Sequence, residues 1–344
     1  PGLYRDEAIN GLDALKVLRG EHAIFFPANN GREPLYIYLA AAAVALFGQT
    51  AFALRFVAAL AGSLTIFPVY LLGKSWFNWR IAVLAAWIWA ITLWPVHLSR
   101  IGLRVILLAP LLTMTLWLGT KAFREGRRRL WLLSGLLYGL TFYTYLAVRF
   151  TPLLLITLFF YLFLRHQQRR LWPGVAWFLL GTFLTLLPFL ILIGQQPDLV
   201  FGRTGQVSIL HPEVNNGDFL GTLARHIGAT LVMFIWRGDT ILRHNPMGRP
   251  VFDLFMLVPF LLGLVWCARN WRRPAPMALL LWLTIMLGPT ILAADAPHFL
   301  RAAGILPAVV YLPAIGLERL WLWIKKSSSI GPLLVAGLIS VSYT

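Results

Sequence analysis

Long apolar stretches separated by short polar segments run through most of the chain. A transmembrane helix needs about 20 mainly apolar residues to cross about 30 Å of hydrocarbon. Ten stretches approach or reach that length, at 51–73, 81–97, 102–122, 130–147, 151–165, 172–193, 251–268, 276–293, 300–323 and 330–344. The pattern predicts an all-α, polytopic integral membrane protein with about ten visible spans, folded as a single domain over residues 1–344.

The first 50 residues follow a different pattern. Apolar positions recur at helical spacing over residues 7–19, which predicts a short amphipathic helix with Asp6 at its N-cap. The apolar segment 34–47 is too short to span the bilayer, and we expect an interfacial or re-entrant helix there. Because the chain begins at Pro1 in a polar segment and stops at Thr344 within an apolar run, we expect truncation at both ends, with an earlier helix before Pro1.

Composition separates this chain from soluble proteins. It is 59% hydrophobic and 12% charged, whereas about a quarter of the residues in a soluble domain are charged. The net charge of +17 is better explained by basic cytoplasmic loops than by nucleic acid, since no basic stripe or nucleic-acid-binding motif is present. Cys267 is the single cysteine, so an intrachain disulfide and a cysteine metal cluster are excluded.

Basic residues collect in alternate loops, and the positive-inside rule places those loops in the cytoplasm. They are Lys74, Arg80, Lys121, Arg124, Arg127, Arg128, Arg129, Arg165, Arg169, Arg170, Arg269, Arg272, Arg273, Arg319, Lys325 and Lys326. Eleven of the 13 acidic residues then fall on the outer side, all except Glu125 and Glu318. This orientation puts the 1–50 segment and the long 194–250 loop outside, provided that 34–47 does not cross.

The outer segments gather ionisable groups that a lipid-facing helix would not tolerate. The set comprises Asp6, Glu7, Arg32, Glu33, His97, Arg100, Arg104, Arg149, Asp239, Arg243, His244, Asp295, His298 and Arg301. Carboxylates together with several arginines favour a site that holds an anionic group and moves a proton. The 194–250 loop is too long for a simple connection, and we expect it to cover that site and to choose the acceptor.

Structural roles remain open for each member of this set. Asp6 could serve only as an N-cap and Glu7 only as a first-turn residue matched to the helix dipole. Arg100 and Arg104, four residues apart, could extend to lipid headgroups. Asp239 and Arg243 could form an ordinary loop ion pair.

The histidines and tyrosines are equally ambiguous. His97, His244 and His298 are widely separated and lack metal-ligand spacing, so no metal site is predicted from them. Tyr143 and Tyr145 could line a sugar site or belong to an interfacial aromatic belt. No Walker A, Rossmann or HExxH motif is present.

Several motifs together resemble one family. They are Asp6-Glu7-Ala8, Arg32-Glu33-Pro34-Leu35-Tyr36, Leu46-Phe47-Gly48, Arg55, Ser99-Arg100-x-Gly102-x-Arg104, Tyr143-x-Tyr145-x-x-x-Arg149-x-x-Pro152, Gly238-Asp239…Arg243-His244-Asn245-Pro246 and Phe299-Leu300-Arg301…Pro307. In this order they resemble the dolichyl-phosphate-mannose-protein mannosyltransferase family, which includes bacterial aminoarabinose transferase relatives and has a GT-C fold. The resemblance covers nearly the whole chain.

The resemblance implies a glycosyltransferase of a prokaryotic plasma membrane that works on the extracytoplasmic side. Its donor would be a polyprenyl-phosphate-linked sugar, with an acceptor that is a protein, lipid or glycan. Asp6 would be the base for an acceptor hydroxyl, with Glu7 in support, and transfer would invert the anomeric carbon. The donor phosphate would be bound by Arg100, Arg104, Arg149 and Arg301.

Two departures from the family bear on this expectation. Many relatives have Lys-Pro-Pro where this chain has Arg32-Glu33-Pro34, and many have an acidic residue at the position of Ala109. The second departure makes a divalent metal doubtful, and no cofactor is expected with certainty. It also keeps open an inactive family member that serves as a subunit of a membrane complex. A lipid or sugar transporter is disfavoured because the spans lack paired charges near their centres.

Overall fold

A computed structural model describes residues 2–28, 31–166, 171–206, 208–246 and 248–327. Within these ranges the fold is all-α, and β pairing is limited to two isolated bridges, Phe26 with Arg32 and Ser208 with Ala293. The prediction of an all-α membrane protein is confirmed.

The α-helices are numbered in chain order. The first ten are α1 Arg5–Leu18, α2 Leu35–Phe47, α3 Ala51–Leu64, α4 Ile66–Trp76, α5 Trp79–Ile91, α6 Leu93–Arg100, α7 Leu108–Glu125, α8 Arg128–Thr141, α9 Thr151–His166 and α10 Leu171–Gln195. The others are α11 Pro197–Gln206, α12 Pro212–Asn215, α13 Phe219–Val232, α14 Leu254–Arg269, α15 Pro274–Met286, α16 Gly288–Ile291, α17 Phe299–Ala302 and α18 Leu306–Ser327. Single 3-10 turns at Arg104–Leu107, Leu146–Phe150 and Ala303–Ile305 lead into α7, α9 and α18.

Six continuous helical segments of the described chain are long and apolar enough to cross a membrane. They are Ala51–Trp76, Arg104–Glu125, Leu146–Arg165, Leu171–Gln195, Pro274–Ile291 and Phe299–Lys326. A seventh span is possible if α5 and α6, which meet at 52°, cross as one broken helix. The predicted count of about ten spans is not confirmed. Two predicted spans form the shorter helices α8 and α14, and 330–344 lies outside the described residues.

Glycines allow the helices of the bundle to approach closely, as is common between membrane helices. A Cβ built on Gly135 of α8 would lie 2.0 Å from the carbonyl oxygen of Phe178 in α10. A Cβ on Gly316 of α18 would lie 1.9 Å from the carbonyl oxygen of Pro259 in α14. The apolar window of Phe299–Lys326 is 94% buried. The segment containing α17 and α18 is therefore the central element of the bundle.

The predicted outer and cytoplasmic polar residues lie at opposite ends of the bundle. Near the start of α3, Arg55 donates to Glu7 in the N-terminal segment. Twenty residues later, a rise of about 30 Å along a helix, Ser75 accepts from Arg124, one of the basic-loop residues. The central segment shows the same separation. Arg301, a predicted outer residue, lies near its start, and Glu318, which pairs with the basic-loop residue Arg319, lies near its end.

Helix α2 stays at one end of α3. Near its start, the Tyr36 hydroxyl donates to the Leu54 carbonyl over 2.7 Å. At its other end, the Phe47 ring lies 5.4 Å from the ring of Phe52. Since both ends of α2 contact the first turn of α3, these contacts support the prediction that segment 34–47 does not cross the membrane.

Candidate functional site

Asp6 lies in the first turn of α1, at the end of the bundle that collects the predicted outer polar groups. The helix begins at Arg5, and its N-cap is Tyr4 rather than Asp6 as the periodicity predicted. The Asp6 side chain therefore projects from the helix instead of capping it. One carboxylate oxygen lies 2.9 Å from Nη1 of Arg243, and the side chain is 24% exposed. The carboxylate is thus held by a cation yet remains within reach of a ligand.

Glu7, the next residue, is fully buried and connects three segments. Its carboxylate accepts hydrogen bonds from Arg55 Nε at 2.8 Å, from the Gly102 amide at 2.8 Å and from the Tyr4 amide at 2.9 Å. Burial opposes its ionisation, but these hydrogen bonds outweigh burial and hold the pKa of Glu7 below its ordinary value. This arrangement fixes α1 against α3 and the turn after α6.

Arg32 is buried behind α1. Its guanidinium donates from Nη1 to the Asn10 side chain at 2.7 Å and from Nη2 to Asp13. The Asn10 amide in turn donates to the Gly102 carbonyl at 3.1 Å. Arg32 is also close enough to Asp6 and Arg104 for their charges to act on it.

A cleft beside this network contains three of the four arginines predicted to bind phosphate. The space within it, open solvent included, is about 390 Å³. It is lined by Phe25, Gly31, Glu33, Arg104, Tyr145, Leu146, Arg149, Val200 and Arg301. The three arginines come from separate elements, since Arg104 precedes α7, Arg149 precedes α9 and Arg301 lies in α17. The fold therefore brings together residues that are far apart in the sequence.

Glu33 is the one carboxylate among the residues that line this cleft. Its Oε2 lies 2.8 Å from Arg104 Nε. The two atoms are not aligned for a hydrogen bond, and both are buried without a hydrogen-bond partner among the described residues. The two side chains therefore form a close ion pair in the wall of the cleft.

Arg104 and Arg149 are oriented by aromatic rings. The Arg104 guanidinium lies 5.5 Å from the Tyr145 ring centre. The Arg149 guanidinium lies 5.1 Å from the ring centre of Phe201 and donates to the Val200 carbonyl at 2.7 Å. Since Val200 and Phe201 belong to α11, the segment predicted as a long loop contributes a helix to the wall of the cleft.

The predicted site residues Arg100, His97 and Tyr143 do not line this cleft. Arg100 is exposed at the end of α6, and His97, one turn earlier, lies beside Arg243. The Tyr143 hydroxyl donates to the Thr185 carbonyl at 2.8 Å, and its ring packs against Phe189. Of the predicted tyrosines, Tyr145 is the one that contacts the cleft.

Asp239, His244 and His298 form a compact group next to Asp6. Asp239 Oδ2 lies 2.7 Å from His244 Nδ1, and the rings of His244 and His298 are 4.6 Å apart. Burial favours the neutral acid, but hydrogen bonds from His244 and the Ile241 amide lower the pKa of Asp239. Burial, with the neighbouring His244 and Arg301, lowers the pKa of His298 to about 3. The His298 imidazole is therefore neutral at physiological pH.

The nearest donor atoms of these three residues lie within 4.8 Å of one another, although their positions in the sequence indicated no metal site. Imidazole and carboxylate are suitable zinc ligands. The Arg243 guanidinium opposes a cation here, because its Nε donates to His244 Nε2 over 3.0 Å. Both ring nitrogens of His244 are thus hydrogen-bonded. A cation could bind His244 only by displacing the positively charged Arg243 guanidinium.

Two buried polar residues of the site, Asn10 and Asp13, were missed by the sequence analysis. Together with Asp6 and Val17 they occupy one face of α1, and Glu7, Asn10, Asp13, Ala14 and Val17 are buried. Leu12 and Leu18 of the apolar face are instead 60% and 48% exposed. The periodicity was visible, but in this helix the polar face packs against the protein.

Comparison with known proteins agrees with this fold. Residues 31–193 match the family described as dolichyl-phosphate-mannose-protein mannosyltransferase. No curated protein matches the chain.

Solved structures match over almost the whole chain. The oligosaccharyltransferase of Archaeoglobus fulgidus, in a complex with Zn and sulfate, is 19% identical with a TM-score of 0.68, over 99% of this chain and 48% of its own. ArnT from Cupriavidus metallidurans, in the apo state, is 15% identical with a TM-score of 0.63, over 92% of this chain and 56% of its own. The chain thus spans about half the length of these proteins. It has the GT-C-type fold of these membrane enzymes, and residues 31–193 confirm its resemblance to the dolichyl-phosphate-mannose-protein mannosyltransferase family.

Proposed function

We propose that the protein is a membrane glycosyltransferase that moves a sugar from a polyprenyl-phosphate donor to an acceptor hydroxyl. The convergence of Arg104, Arg149 and Arg301 in one cleft carries this proposal. Related structures support the choice of donor. The ArnT of Cupriavidus metallidurans has been solved with undecaprenyl phosphate and the Archaeoglobus fulgidus enzyme AglB with a dolichol-phosphate.

The charge of the cleft suits this chemistry. Its three guanidiniums and one carboxylate give a net charge of +2. The donor phosphate is a diester with one negative charge, and the departing polyprenyl phosphate is a monoester that approaches two. Guanidinium groups already oriented toward the phosphate stabilise the charge that develops as the sugar–oxygen bond breaks. Tyr145, which lines the cleft, would contact the sugar. Arg100 would assist from outside the cleft.

Asp6 would act as the general base. Its carboxylate would take the proton of the acceptor hydroxyl as that oxygen attacks the anomeric carbon and the phosphate oxygen leaves from the opposite face. Arg243, 2.9 Å from the carboxylate, would hold the base in place. Glu7 would support the reaction by fixing α1, since its carboxylate is saturated by donors from the protein.

The reaction would take place on the extracytoplasmic face of a prokaryotic plasma membrane, and the charge distribution of the bundle supports this orientation. The basic loops occupy the other end of the same helices, as the positive-inside rule requires for the cytoplasm. Residues 194–250 contain α11, α12 and α13, and α11 contributes to the cleft wall. This segment would select the protein, lipid or glycan acceptor.

The test is sugar transfer from a radiolabelled polyprenyl-phosphate-sugar pool in membranes that contain the wild type or Asp6→Asn. A missing general base lowers kcat by about 100- to 10,000-fold. We expect such a loss for Asp6→Asn with an unchanged KM for the donor. Glu21→Gln is the matched control, because Glu21 is an exposed carboxylate in the same N-terminal segment.

Transfer retained by Asp6→Asn at wild-type rate would refute Asp6 as the base. Transport of the donor across sealed vesicles, with no new glycosidic bond from any donor sugar, would refute the transferase itself. The assignment of the cleft as the donor-phosphate site would be refuted by an unchanged donor KM after substitution of Arg104, Arg149 and Arg301 by Gln.

A further inference from the structure

The segment 239–245 carries a chain of hydrogen bonds that ends at the proposed base. Asp239 Oδ2 lies 2.7 Å from His244 Nδ1, His244 Nε2 accepts from Arg243 Nε at 3.0 Å, and Arg243 Nη1 lies 2.9 Å from Asp6 Oδ2. We infer that Asp239 and His244 are positioning residues that hold Arg243 against Asp6 and so fix the orientation of the base.

Only one tautomer of His244 is compatible with both of its hydrogen bonds. The Arg243 guanidinium has hydrogen-bond donors and no acceptor, so Nε2 of His244 must be the unprotonated nitrogen. Nδ1 therefore carries the hydrogen and donates it to Asp239. A carboxylate that accepts from Nδ1–H selects this tautomer in many sites.

Asp239 is itself held rigidly. Its oxygens accept from the amides of Phe299 and Ile241, both at 2.8 Å. The Asn245 side chain closes the turn by donating to the carbonyls of Asp239 and Arg249. Asp239 and His244 are 2% and 0% exposed. The rigid end of the chain is therefore inside the protein, tied to the start of the central α17.

Arg243 is the most exposed member of this series, with 36% of its side chain accessible to solvent. An exposed arginine has many rotamers, and an acceptor at Nε selects one of them. His244 supplies that acceptor. Without it, Arg243 can turn toward solvent and Asp6 loses this contact, which is costly because catalytic groups must be held to a fraction of an ångström.

The same groups could instead be a cation site, and the two arrangements exclude each other. A cation bound by Asp239, His244 and His298 would take the lone pair of one ring nitrogen of His244. Nε2 would then be either coordinated or protonated, and in both cases it could not accept from Arg243. The hydrogen-bonded arrangement satisfies both nitrogens of His244 and needs no further ligand.

Two nearly isosteric substitutions separate these roles. The amide oxygen of Gln can occupy the place of Nε2 and accept from Arg243, while the amide of Asn can occupy the place of Nδ1 and donate to Asp239. We expect His244→Asn to lower kcat by about 10- to 100-fold, the loss that corresponds to one hydrogen bond to a charged group. His244→Gln should lower it by about threefold, and the donor KM should stay within about twofold in both.

This inference rests on the proposed role of Asp6, so Asp6→Asn is measured in parallel. His226→Asn is the control, because His226 contacts a carbonyl in α16 outside the chain of contacts. If Asp6→Asn is inactive while His244→Asn and His244→Gln have equal kcat, the inference fails and the base assignment stands. If Asp6→Asn is fully active, both fail.

A measurement without catalysis tests the same contact. Thermal unfolding is measured for His244→Asn, Arg243→Gln and the double variant. The melting-temperature shifts should not be additive, because the two single substitutions break the same hydrogen bond. Additive shifts would overturn the inference. So would one equivalent of tightly bound metal in the purified protein that disappears in His244→Asn, since that result requires the cation site.

Discussion

Two adjacent carboxylates in the first turn of α1 have different environments. Asp6 is 24% exposed and has a cation at 2.9 Å, whereas Glu7 is fully buried and accepts from Arg55 and two backbone amides. Their sequence positions differ by one, which is a rotation of about 100° on a helix. That rotation directs Glu7 into the protein and leaves Asp6 at the surface of the site.

Substitution of Glu7 should therefore affect stability before chemistry. Glu7→Gln removes the charge that pairs with Arg55, a cation that is 23% exposed and also donates to the Gly2 carbonyl. The expected cost is about 1.5–3 kcal/mol, that of a hydrogen bond to a charged group. Thermal unfolding in detergent at neutral pH checks this expectation, with Asp6→Asn as the comparison that should unfold near the wild-type temperature. Equal melting temperatures for wild type and Glu7→Gln would contradict it.

The same substitution has a defined pH dependence. The pKa of Glu7 is lowered in the folded protein from its ordinary value of 4.5. Its stabilising contribution is therefore complete above that value and is lost as the pH falls through the lowered folded-state pKa. The difference in melting temperature between wild type and Glu7→Gln should shrink in that acidic range and be constant above it.

At the scale of elements, the turn between α1 and α2 sets one wall of the cleft. Phe26 and Arg32 form a β-bridge across it, and Gly31 between them has φ +85°. A Cβ on Gly31 would lie 2.4 Å from the Phe25 ring and 3.3 Å from the Leu199 carbonyl. The turn is thus packed against α11 with no space for a side chain.

Gly31→Ala should narrow the cleft. Gly20→Ala is the matched control, because Gly20 has φ +92° and open space around its Cβ position. Both substitutions carry the backbone strain of a left-handed alanine, about 1–2 kcal/mol, but only Gly31→Ala displaces Phe25 or Leu199. Donor KM measured for both variants should rise about tenfold or more for Gly31→Ala alone, a change of about 1.4 kcal/mol. Equal donor KM values would show that the turn does not shape the site.

At the scale of the whole molecule, the bundle separates two kinds of surface. Glu7, Arg104, Arg149 and Arg301 lie at one end, and the basic loops represented by Arg124 and Arg319 lie at the other. Polar side chains at the basic end contact one another or aromatic rings, as Arg319 does over Trp266 at 4.5 Å. An asymmetric charge distribution of this kind fixes one orientation in a membrane.

The proposed orientation can be measured by cysteine labelling in intact cells. The native Cys267 is buried, so it should not react with a membrane-impermeant maleimide, and Cys267→Ala provides a background without cysteine. We expect Glu21→Cys to be labelled from outside, and Arg127→Cys, whose native side chain is 71% exposed, to be labelled only after permeabilisation. The reverse pattern would place the site in the cytoplasm.

The sequence predicted the spans better than the site. Hydrophobic runs determine where helices can cross, and six of the predicted spans correspond to continuous helical segments of sufficient length. Arg104, Arg149 and Arg301 come together only through the tertiary fold, since they belong to three distant segments. The family resemblance, and not their spacing in the sequence, indicated a common site. The contact of Asp239 with His244 was open to prediction as a local pair. The approach of His298 was not, because it depends on α17 packing beside them.

The outward apolar face of α1 has a consequence for how the proposed enzyme would meet its donor. Leu12 and Leu18 are exposed on the helix that carries Asp6, and we expect this face to lie in the bilayer interface, as amphipathic helices do. A donor with a polyprenyl tail would then reach the cleft by lateral diffusion in the same leaflet. The reaction rate should follow the mole fraction of donor in the membrane, so that added inert lipid slows transfer at a constant total donor concentration.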